Sequence, residues 1–434
     1  MKITVVALGK IGLPVATYYA SRGHVVTGCD RDARVVDVVN RGENPIPHEA
    51  GLTQMIAECV AAGRLRATTD TAAGVAAADV VVVLIPLGID VAGRSDFRAM
   101  DEGFSAVARG IQPGTLVLLE TTVPVGTSRE RYRPVLEGAR YTCGHDFSFA
   151  FSPERVQSGR VIRDLATYPR VVGGVDAASA DAASAFYSAT HDVPVITLAS
   201  AEAAEFCKLA ESVYRDVNIA LANELAQIAA QDGVDYYEVL PAANSQPQSH
   251  LHRPGLGVGG HCIPVYPYFL ANGSEQPTLA RSARAINDDM HRVAADMLAA
   301  SLGTLAGQRV LILGLTYRPG VRETAHSPAL MLARALIQRG ALVHGHDPLL
   351  EPDEIQELGL TPARPGRPGE RFQAVVVHTA DPAYLALDFT RFDGLRVVLD
   401  SAGAVDARTA TDAGASYLAI GRPSRTPSPV EARS

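Results

Sequence analysis

"ITVVALGKIGLPVATYYASRGHVVTGCD", residues 3–30, decides how this chain folds. An apolar run leads into a glycine turn, a helical stretch follows, and after "RG" a second apolar run ends on Asp30. That order predicts strand, tight turn, helix and strand: a βαβ unit. Residues 310–347, "VLILGLTYRPGVRETAHSPALMLARALIQRGALVHGHD", repeat the plan. The closing pieces "SRGHVVTGCD" and "QRGALVHGHD" align without gaps, with Gly23 and Gly340 each seven residues before Asp30 and Asp347. The duplication predicts an α/β protein with a Rossmann-like, doubly wound domain at each end. Further strands are expected in "ADVVVVLIP" (78–86), "GTLVLLETTVP" (114–124), "FQAVVVHT" (372–379) and "LRVVLDSA" (395–402). Continuous apolar runs of this kind suit parallel strands covered on both faces.

Between the copies, residues 200–235 carry a helical period. They lack proline, are rich in Ala, Leu and Glu, and stop at Gly233. At ~1.5 Å per residue this predicts a helix about 45 Å long. Such a helix joins domains or packs against a partner. The last residues, "GRPSRTPSPVEARS" (421–434), are polar and proline-rich and read as a disordered tail.

The bulk numbers agree with this plan. A chain of 434 residues is too long for one ordinary core. No apolar run reaches the ~18 residues of a membrane span, and "MKITVVALGK" reads as a first strand rather than a signal peptide. A net charge of −8 argues against a nucleic-acid partner. The cysteines (Cys29, Cys59, Cys143, Cys207, Cys262) are odd in number, scattered and without a CxxC pair. That pattern suits a reduced cytoplasmic protein with neither a disulfide framework nor a metal site. "HGH" at 344–346 falls on an alternating strand, where packing is expected.

Three places carry chemistry. In "ALGKIG", Ala7 to Gly12, a turn follows a strand and opens a helix, the context a dinucleotide fingerprint needs. Gly9 lets backbone approach a pyrophosphate, Gly12 allows close packing of helix on strand, and the helix N-terminus favours the anion. Asp30 stands where an acid accepts ribose hydroxyls and disfavours a 2′-phosphate, which predicts NAD. A ligand-free tight turn would use the same glycines. The second copy has Tyr317, Arg318 and Pro319 in its turn, so a different ligand is expected there. In "GVGGHCIPVYP" (257–267), Gly257, Gly259 and Gly260 bring bare backbone close to Cys262, which suits a substrate approaching a thiol. A glycine loop around an inert cysteine is the competing account. Lys208 lies on the long helix with Ser212 one turn on. There it can stabilise a thiolate or an oxyanion, or pair with Glu205 as a surface lysine.

These residues resemble the UDP-glucose/GDP-mannose dehydrogenase family, and within it the branch acting on UDP-2-acetamido sugars. The similar segments are "LGKIGLPVA" (8–16), "ETTVPVGT" (120–127), "FSPERVQSGR" (151–160), "AEFCKLAESVYRDVNIALANELA" (204–226), "PGLGVGGHCIP" (254–264), "ARAIND" (283–288) and "LGLTYRPGV" with "SPA" (313–329). The resemblance implies three domains: NAD-binding at 1–198, a central helical dimerising domain with the cysteine loop at 199–302, and a nucleotide-sugar domain at 303–420. It implies NAD held by Gly9, Lys10, Ile11, Gly12, Asp30, Arg34, Pro86 and Thr122. For the nucleotide sugar it implies Glu154, Arg155, Val156, Lys208, Ser212, Arg215, Asn218, Gly257, Gly259, Gly260, Tyr266, Tyr317 and Arg318. It also implies a homodimer and oxidation of a sugar C6 alcohol to the carboxylate through a thioester on Cys262. Lys208 would stabilise the oxyanion, Thr122 would orient a water, and Glu154 would serve the first oxidation or the hydrolysis.

The chain departs from that pattern at several positions. Tyr266 stands where the family has an aspartate, and Ser212 where it has an asparagine. "QPQ" (246–248) replaces "HPR", and Ala325 replaces an arginine. Tyrosine, with an unperturbed pKa of about 10, cannot act as a carboxylate base at neutral pH. Three readings therefore stand: the full two-step dehydrogenase, a divergent enzyme that stops at the aldehyde or takes an unusual nucleotide, and a binding protein that has lost catalysis.

Overall fold

The structure, a computed structural model, describes residues 1–46, 49–90, 93–138, 140–271, 278–367 and 370–423. Most of the expected tail at 421–434 lies outside the described residues. Two compact units form, Met1–Glu211 with Tyr268–Ser274 and Ser212–Pro267 with Glu275–Ser434.

The strands of the first unit are β1 (Lys2–Val6), β2 (Val25–Cys29), β3 (Leu65–Thr68), β4 (Val80–Val83), a short antiparallel pair β5 (Gly88–Ile89) and β6 (Ser95–Asp96), then β7 (Leu116–Leu119), β8 (Ser148–Phe151), β9 (Arg170–Gly174) and β10 (Val195–Thr197). Eight of them make one sheet in the order β10-β9-β8-β7-β4-β1-β2-β3. β1 pairs in parallel with β2 and β4, so the strand order reverses there, as in a doubly wound fold. The valines of β4 and the leucines of β7 are buried, as the unbroken apolar runs predict. The helix Gly12–Ser21 buries Leu13, Val15 and Ala16 against this sheet.

One strand join departs from the all-parallel expectation. β8 pairs with β9 antiparallel, Phe151 opposite Gly173. The chain leaves β8 through "SPERVQSGR", makes the short helix Val161–Leu165 and re-enters the sheet reversed. Arg170, the first residue of β9, thereby comes to the carboxyl ends of β7 and β8.

The second unit repeats the plan with β11 (Arg309–Leu313), β12 (Leu342–His346), β13 (Thr361–Pro362), β14 (Ala374–Val377), β15 (Val397–Asp400) and β16 (Ser416–Ala419), all parallel, in the order β13-β12-β11-β14-β15-β16. His344 and His346 pack edge-on to Phe372 and Tyr384, a packing role as expected. The long helix is real and runs Ala201–Gln231, with the division between units falling inside it. Each unit grips its part with a buried carboxylate. Glu205 accepts from the Gly126 N–H (2.6 Å), the Ser128 N–H (2.8 Å) and the Ser128 hydroxyl (2.6 Å). Asp216 accepts from Arg284 (2.6 Å) and Asn287 (2.8 Å) on the helix Leu279–Leu302.

The tightest packing constraint of the first unit sits at Gly12. A Cβ there would lie 1.8 Å from the Ala7 carbonyl oxygen. Backbone cannot yield as a flexible side chain can, so Gly12→Ala should destabilise the first unit by on the order of 1–3 kcal/mol or more. A melting temperature unchanged from the parent would show that the helix start relaxes freely.

Candidate active site

The first turn has the backbone that a dinucleotide site requires. Ala7, which replaces the usual first glycine, adopts φ +76°, the left-handed conformation a glycine would supply there. Asp30 closes the turn, with Leu8 N–H donating to Oδ2 (2.8 Å) and Asp32 N–H to Oδ1 (2.9 Å). Each carboxylate oxygen keeps a lone pair for a further donor. Gly9 is exposed, and a Cβ built on it meets nothing within 4 Å, so the turn is open to a ligand. Lys10 and Pro86 are exposed and Ile11 is half-buried at its rim. Arg34 turns away to Asp32 (2.8 Å). The residues present therefore fit a dinucleotide with free ribose hydroxyls.

The duplicate turn is closed differently. Asp347 is buried and accepts from Leu315 N–H (2.8 Å), Thr316 N–H (2.9 Å), Thr316 Oγ1 (2.9 Å) and Leu349 N–H (2.9 Å). Three of these donors crowd Oδ2 and one takes Oδ1, so this buried acid is far more committed to its own turn than Asp30 is.

At the carboxyl ends of β7 and β8 the chain exits run side by side, with Glu154 N–H donating to the Glu120 carbonyl (3.2 Å). Thr122 is buried on one exit and Glu154 lies on the other. Glu154 Oε1 accepts the Arg155 N–H (2.7 Å) and Val156 N–H (3.1 Å). Behind it the Arg170 guanidinium is buried between Glu154 Oε2 (3.3 Å) and Glu120 Oε1 (3.1 Å). Tyr187 donates to Glu120 Oε1 (2.6 Å), and Arg170 lies over its ring at 4.7 Å. Burial pushes Glu120 up to about 7, Arg170 opposing and the neighbouring Glu154 charge adding to the rise. Burial works to raise Glu154 too, but Arg170, the hydrogen bond with Glu120 and the two N–H groups hold it below the ordinary carboxylate range. Sequence reasoning missed Glu120 and Arg170, although "LLETT" and "YPRVV" each place a charge inside a buried apolar run, which is itself a signal. Arg155 pairs with Glu211 (2.6 Å). Lys208 belongs to this unit, on the same helix as Glu205, which accepts from Gly126 and Ser128.

Cys262, Tyr266 and Ser212 belong to the second unit. Cys262 is exposed, and the Tyr266 hydroxyl donates to its Sγ at 3.3 Å. Val265 and Tyr266 N–H both donate to the Cys262 carbonyl, so a tight turn sets that spacing. Two of the glycines have a packing reason to be small. A Cβ on Gly257 would lie 2.3 Å from the Asn287 carbonyl oxygen, and one on Gly259 would lie 2.5 Å from Tyr317 Cβ. Gly260 N–H donates to the Ala325 carbonyl (2.8 Å), so backbone at the altered position holds the cysteine loop. Arg322 is committed to Glu354 (2.5 Å) and does not fill the missing arginine's place. Arg318 donates to the Tyr317 hydroxyl (3.1 Å), Ser212 is buried, and Asn218 donates back to the Tyr214 carbonyl (2.7 Å).

The same unit contains an open cavity of about 290 Å³ beside this loop. Arg215, His252, Arg253, Gly257, His378 and Ser401 line it. His378 and Ser401 follow β14 and β15, so the cavity lies at the carboxyl ends of parallel strands, where open α/β sheets bind ligands. Both ring nitrogens of His378 are buried without a partner, and burial pushes its pKa down to about 4. Arg215 and Arg253 add positive charge to the same lining, which suits an anionic ligand.

The fingerprint turn with its open ribose acid fits a dinucleotide-binding protein, and the similarity to known proteins makes it an NAD-dependent oxidoreductase acting on a CH–OH group. Residues 1–191 match the NAD binding domain of the UDP-glucose/GDP-mannose dehydrogenase family, 202–289 its central domain and 311–413 its UDP binding domain. The chain is 36% identical over 357 residues to a UDP-N-acetyl-D-mannosamine dehydrogenase of Pyrococcus horikoshii, covering 80% of this chain and 84% of that one. It is 34% identical over 352 residues to the Escherichia coli enzyme of the same name, covering 77% and 82%. A solved UDP-D-ManNAc dehydrogenase structure from P. horikoshii superposes with a TM-score of 0.89 at 30% identity, over 97% of this chain and 99% of that one. A UDP-glucose dehydrogenase of Pyrobaculum islandicum gives 0.86 at 29%, over 97% and 98%. This chain belongs to the UDP-glucose/GDP-mannose dehydrogenase family. Its cofactor is NAD and its substrate a nucleotide sugar.

The five thiols differ in accessibility. Burial pushes Cys29 up to about 12 and Cys143 to about 11, and raises Cys59 and Cys207 as well. Iodoacetamide at pH 8 should therefore alkylate Cys262 first in the native protein. Peptide mapping that finds Cys29 or Cys143 modified as early as Cys262 would contradict the exposed-loop geometry.

Proposed function

We propose that this chain oxidises the C6 alcohol of a UDP-2-acetamido sugar to the uronate, in the cytoplasm and as a homodimer, with Cys262 as the nucleophile. The observation that carries the reading is the exposed Cys262 thiol beside the Tyr266 hydroxyl, in a chain whose relatives are named UDP-N-acetyl-D-mannosamine dehydrogenases. The Gly9–Gly12 turn and Asp30 would hold two NAD molecules in succession, each supplying the acceptor for one of the two hydrides that separate an alcohol from a carboxylic acid. The Cys262 thiolate adds to the C6 aldehyde, and the thiohemiacetal, on losing the second hydride, becomes a thioester. Water adds to that carbonyl, the C–S bond breaks, and the thiol is returned with the carboxylate. In this sequence Glu154 takes the alcohol proton, Lys208 stabilises the negative oxygen and Thr122 orients the water. Arg215 and Arg253 in the cavity supply the positive charge a diphosphate needs, and His378 a neutral donor.

The helix Ala201–Gln231 carries the proposed dimer contact. Tyr214, Leu221 and Ile228 recur every seven residues and are 60%, 40% and 49% exposed, a row of large apolar groups on a soluble-type helix. Replacing Tyr214 and Leu221 together by glutamate should convert the dimer to monomer in sedimentation equilibrium. A dimer that persists would move the interface elsewhere.

Two kinetic outcomes test the chemistry. With UDP-N-acetylmannosamine, NAD should be preferred to NADP and Asp30→Ala should relax that preference, because a carboxylate at the ribose repels a 2′-phosphate. Comparable kcat/KM with both cofactors in the parent enzyme would remove Asp30 from this role. Cys262→Ser should abolish carboxylate formation and leave NAD binding intact, and Lys208→Ala should lower kcat by on the order of 10²–10³. Turnover to the acid by the serine variant would make the thiol structural.

The Tyr266 contact favours a second outcome at the thioester stage. A phenol that donates to sulfur cannot serve as the carboxylate base of the family pattern. NADH formed per sugar consumed should fall below two, or an initial burst should precede a slow steady state. Tyr266→Asp should restore the ratio, in full only with Ser212→Asn. A ratio of two, no burst and no adduct on Cys262 by intact mass would show that hydrolysis proceeds unhindered.

A further inference from the structure

Glu120 is the one buried acid at the carboxyl end of β7 to which no catalytic part has been given. It is fully buried, as is the Arg170 guanidinium it faces. Its Oε1 is saturated by Tyr187 (2.6 Å) and Arg170 (3.1 Å). Its Oε2 is buried and meets no N–H or O–H donor. What lies within hydrogen-bond reach of Glu120 is the Glu154 carboxyl. Two carboxylates in contact cannot both be satisfied as anions, because neither has a hydrogen to give. One proton between them resolves the contact and also balances charge, since two anions and one guanidinium become one anion and one guanidinium.

The two partners are not equivalent. Glu154 already receives two backbone N–H bonds and one from Arg170, so it favours the ionised state. Glu120 has fewer donors and deeper burial, so it favours the proton. We propose that Glu120 is the proton-holding partner of Glu154, storing the proton released when the sugar C6 alcohol is oxidised. This rests on the reading of Glu154 as the group that meets the alcohol. In a pair that has first lost its shared proton to water, the alcohol O–H bond breaks as the C6 hydride leaves, and the alcohol proton passes to a Glu154 oxygen. It comes to rest on Glu120 Oε2, which returns Glu154 to the carboxylate. Loss of that proton to water readies the pair for the next turnover. Glu120 is thus a positioning residue that acts through Glu154 and touches no substrate itself.

The groups facing Glu120 come from several elements: Arg170 on β9, Tyr187 on the helix Ala177–Thr190, Tyr19 on the helix Gly12–Ser21, and Glu154 after β8. His191, held neutral by burial, contacts the cluster through its interaction with Arg170. Among these described groups Glu120 is the one that burial brings toward neutrality. Burial raises Glu120 to about 7, which is the range in which a base must work at neutral pH. Glu154 alone, held low, is too weak a base for that task.

Glu120→Gln tests this directly, because the amide reproduces the protonated acid. Its NH2 group can donate to Glu154 and its carbonyl can accept from Tyr187 and Arg170, so a purely structural role would leave the enzyme unchanged. With UDP-N-acetylmannosamine and NAD, the parent kcat/KM should rise with pH through the neutral range. In Glu120→Gln it should fall at least about tenfold at pH 8, with the rise moved to lower pH. Tyr187→Phe removes a donor to the ionised form, so it should move the rise to higher pH. Profiles for Glu120→Gln that superimpose on the parent would overturn the proposal.

A second readout needs no substrate. A carboxyl whose folded pKa is raised contributes stability at low pH that is lost as pH climbs through about 7. The melting temperature of the parent should therefore fall relative to Glu120→Gln between pH 5 and 8, and a constant difference would show that Glu120 holds no proton. Glu154→Gln separates the two ideas. If it retains full activity while the pH-dependent melting difference persists in the Glu120 comparison, the shared proton stands and the catalytic reading of Glu154 fails.

Discussion

The buried Arg170 guanidinium organises the carboxyl ends of β7 and β8 in the first unit. It sits between Glu120 and Glu154 at 3.1 and 3.3 Å, with an aromatic face beneath it. A buried cation without partners costs several kcal/mol, and its two acids are equally costly without it. Each member is tolerable only because the others are present. The reversal of chain direction between β8 and β9 brings them together. In a fully parallel sheet the first residue of β9 would lie at the opposite, amino end of the strands. The antiparallel entry puts it at the carboxyl ends of β7 and β8, where the exits carrying Glu120, Thr122 and Glu154 run alongside one another.

A second constraint occurs twice and has diverged. In both halves the acid ending the second strand binds the backbone N–H groups of the first turn and so fixes how the helix leaves the strand. Asp30 spends one acceptor site per oxygen on this, whereas Asp347 spends four sites in all. The difference leaves Asp30 the more open acid of the two. It follows from Thr316, whose hydroxyl and N–H both turn to Asp347, at a place where the first copy has Gly9 and no side chain at all.

Much of this was legible in the sequence because it is local. The valines at 80–83, the duplicated "RG…D" spacing and the proline-free run from Ala201 each fix an element through its own neighbours. The cysteine loop was legible as a motif, but the reason for its glycines was not. Gly257 and Gly259 are small because Asn287 and Tyr317, 30 and 58 residues further on, occupy the space. Glu120 and Arg170 went unread for the same reason. Their meaning lies in a contact across 50 residues and a strand reversal that no periodicity encodes. Tyr266 was visible as a substitution, yet only the turn that brings residue 266 back over residue 262 shows that its hydroxyl reaches the sulfur.

That contact bears on how the chemistry is shared out. An aspartate beside a cysteine can accept a proton, but its charge also opposes the formation of a thiolate. A phenol reverses both effects. Its O–H stabilises sulfur that gains negative charge, and at neutral pH it accepts no proton in return. In the proposed mechanism a loop built this way would favour addition of the thiolate to an aldehyde and would do little for the later hydrolysis of the thioester. In the mechanism proposed here the proton traffic then depends on the carboxyl pair of the first unit, where burial tunes one acid toward neutrality and hydrogen bonds hold the other ionised. Separating nucleophile activation from proton storage would let residue 266 change while the acids keep their own partners, Tyr187 and Arg170.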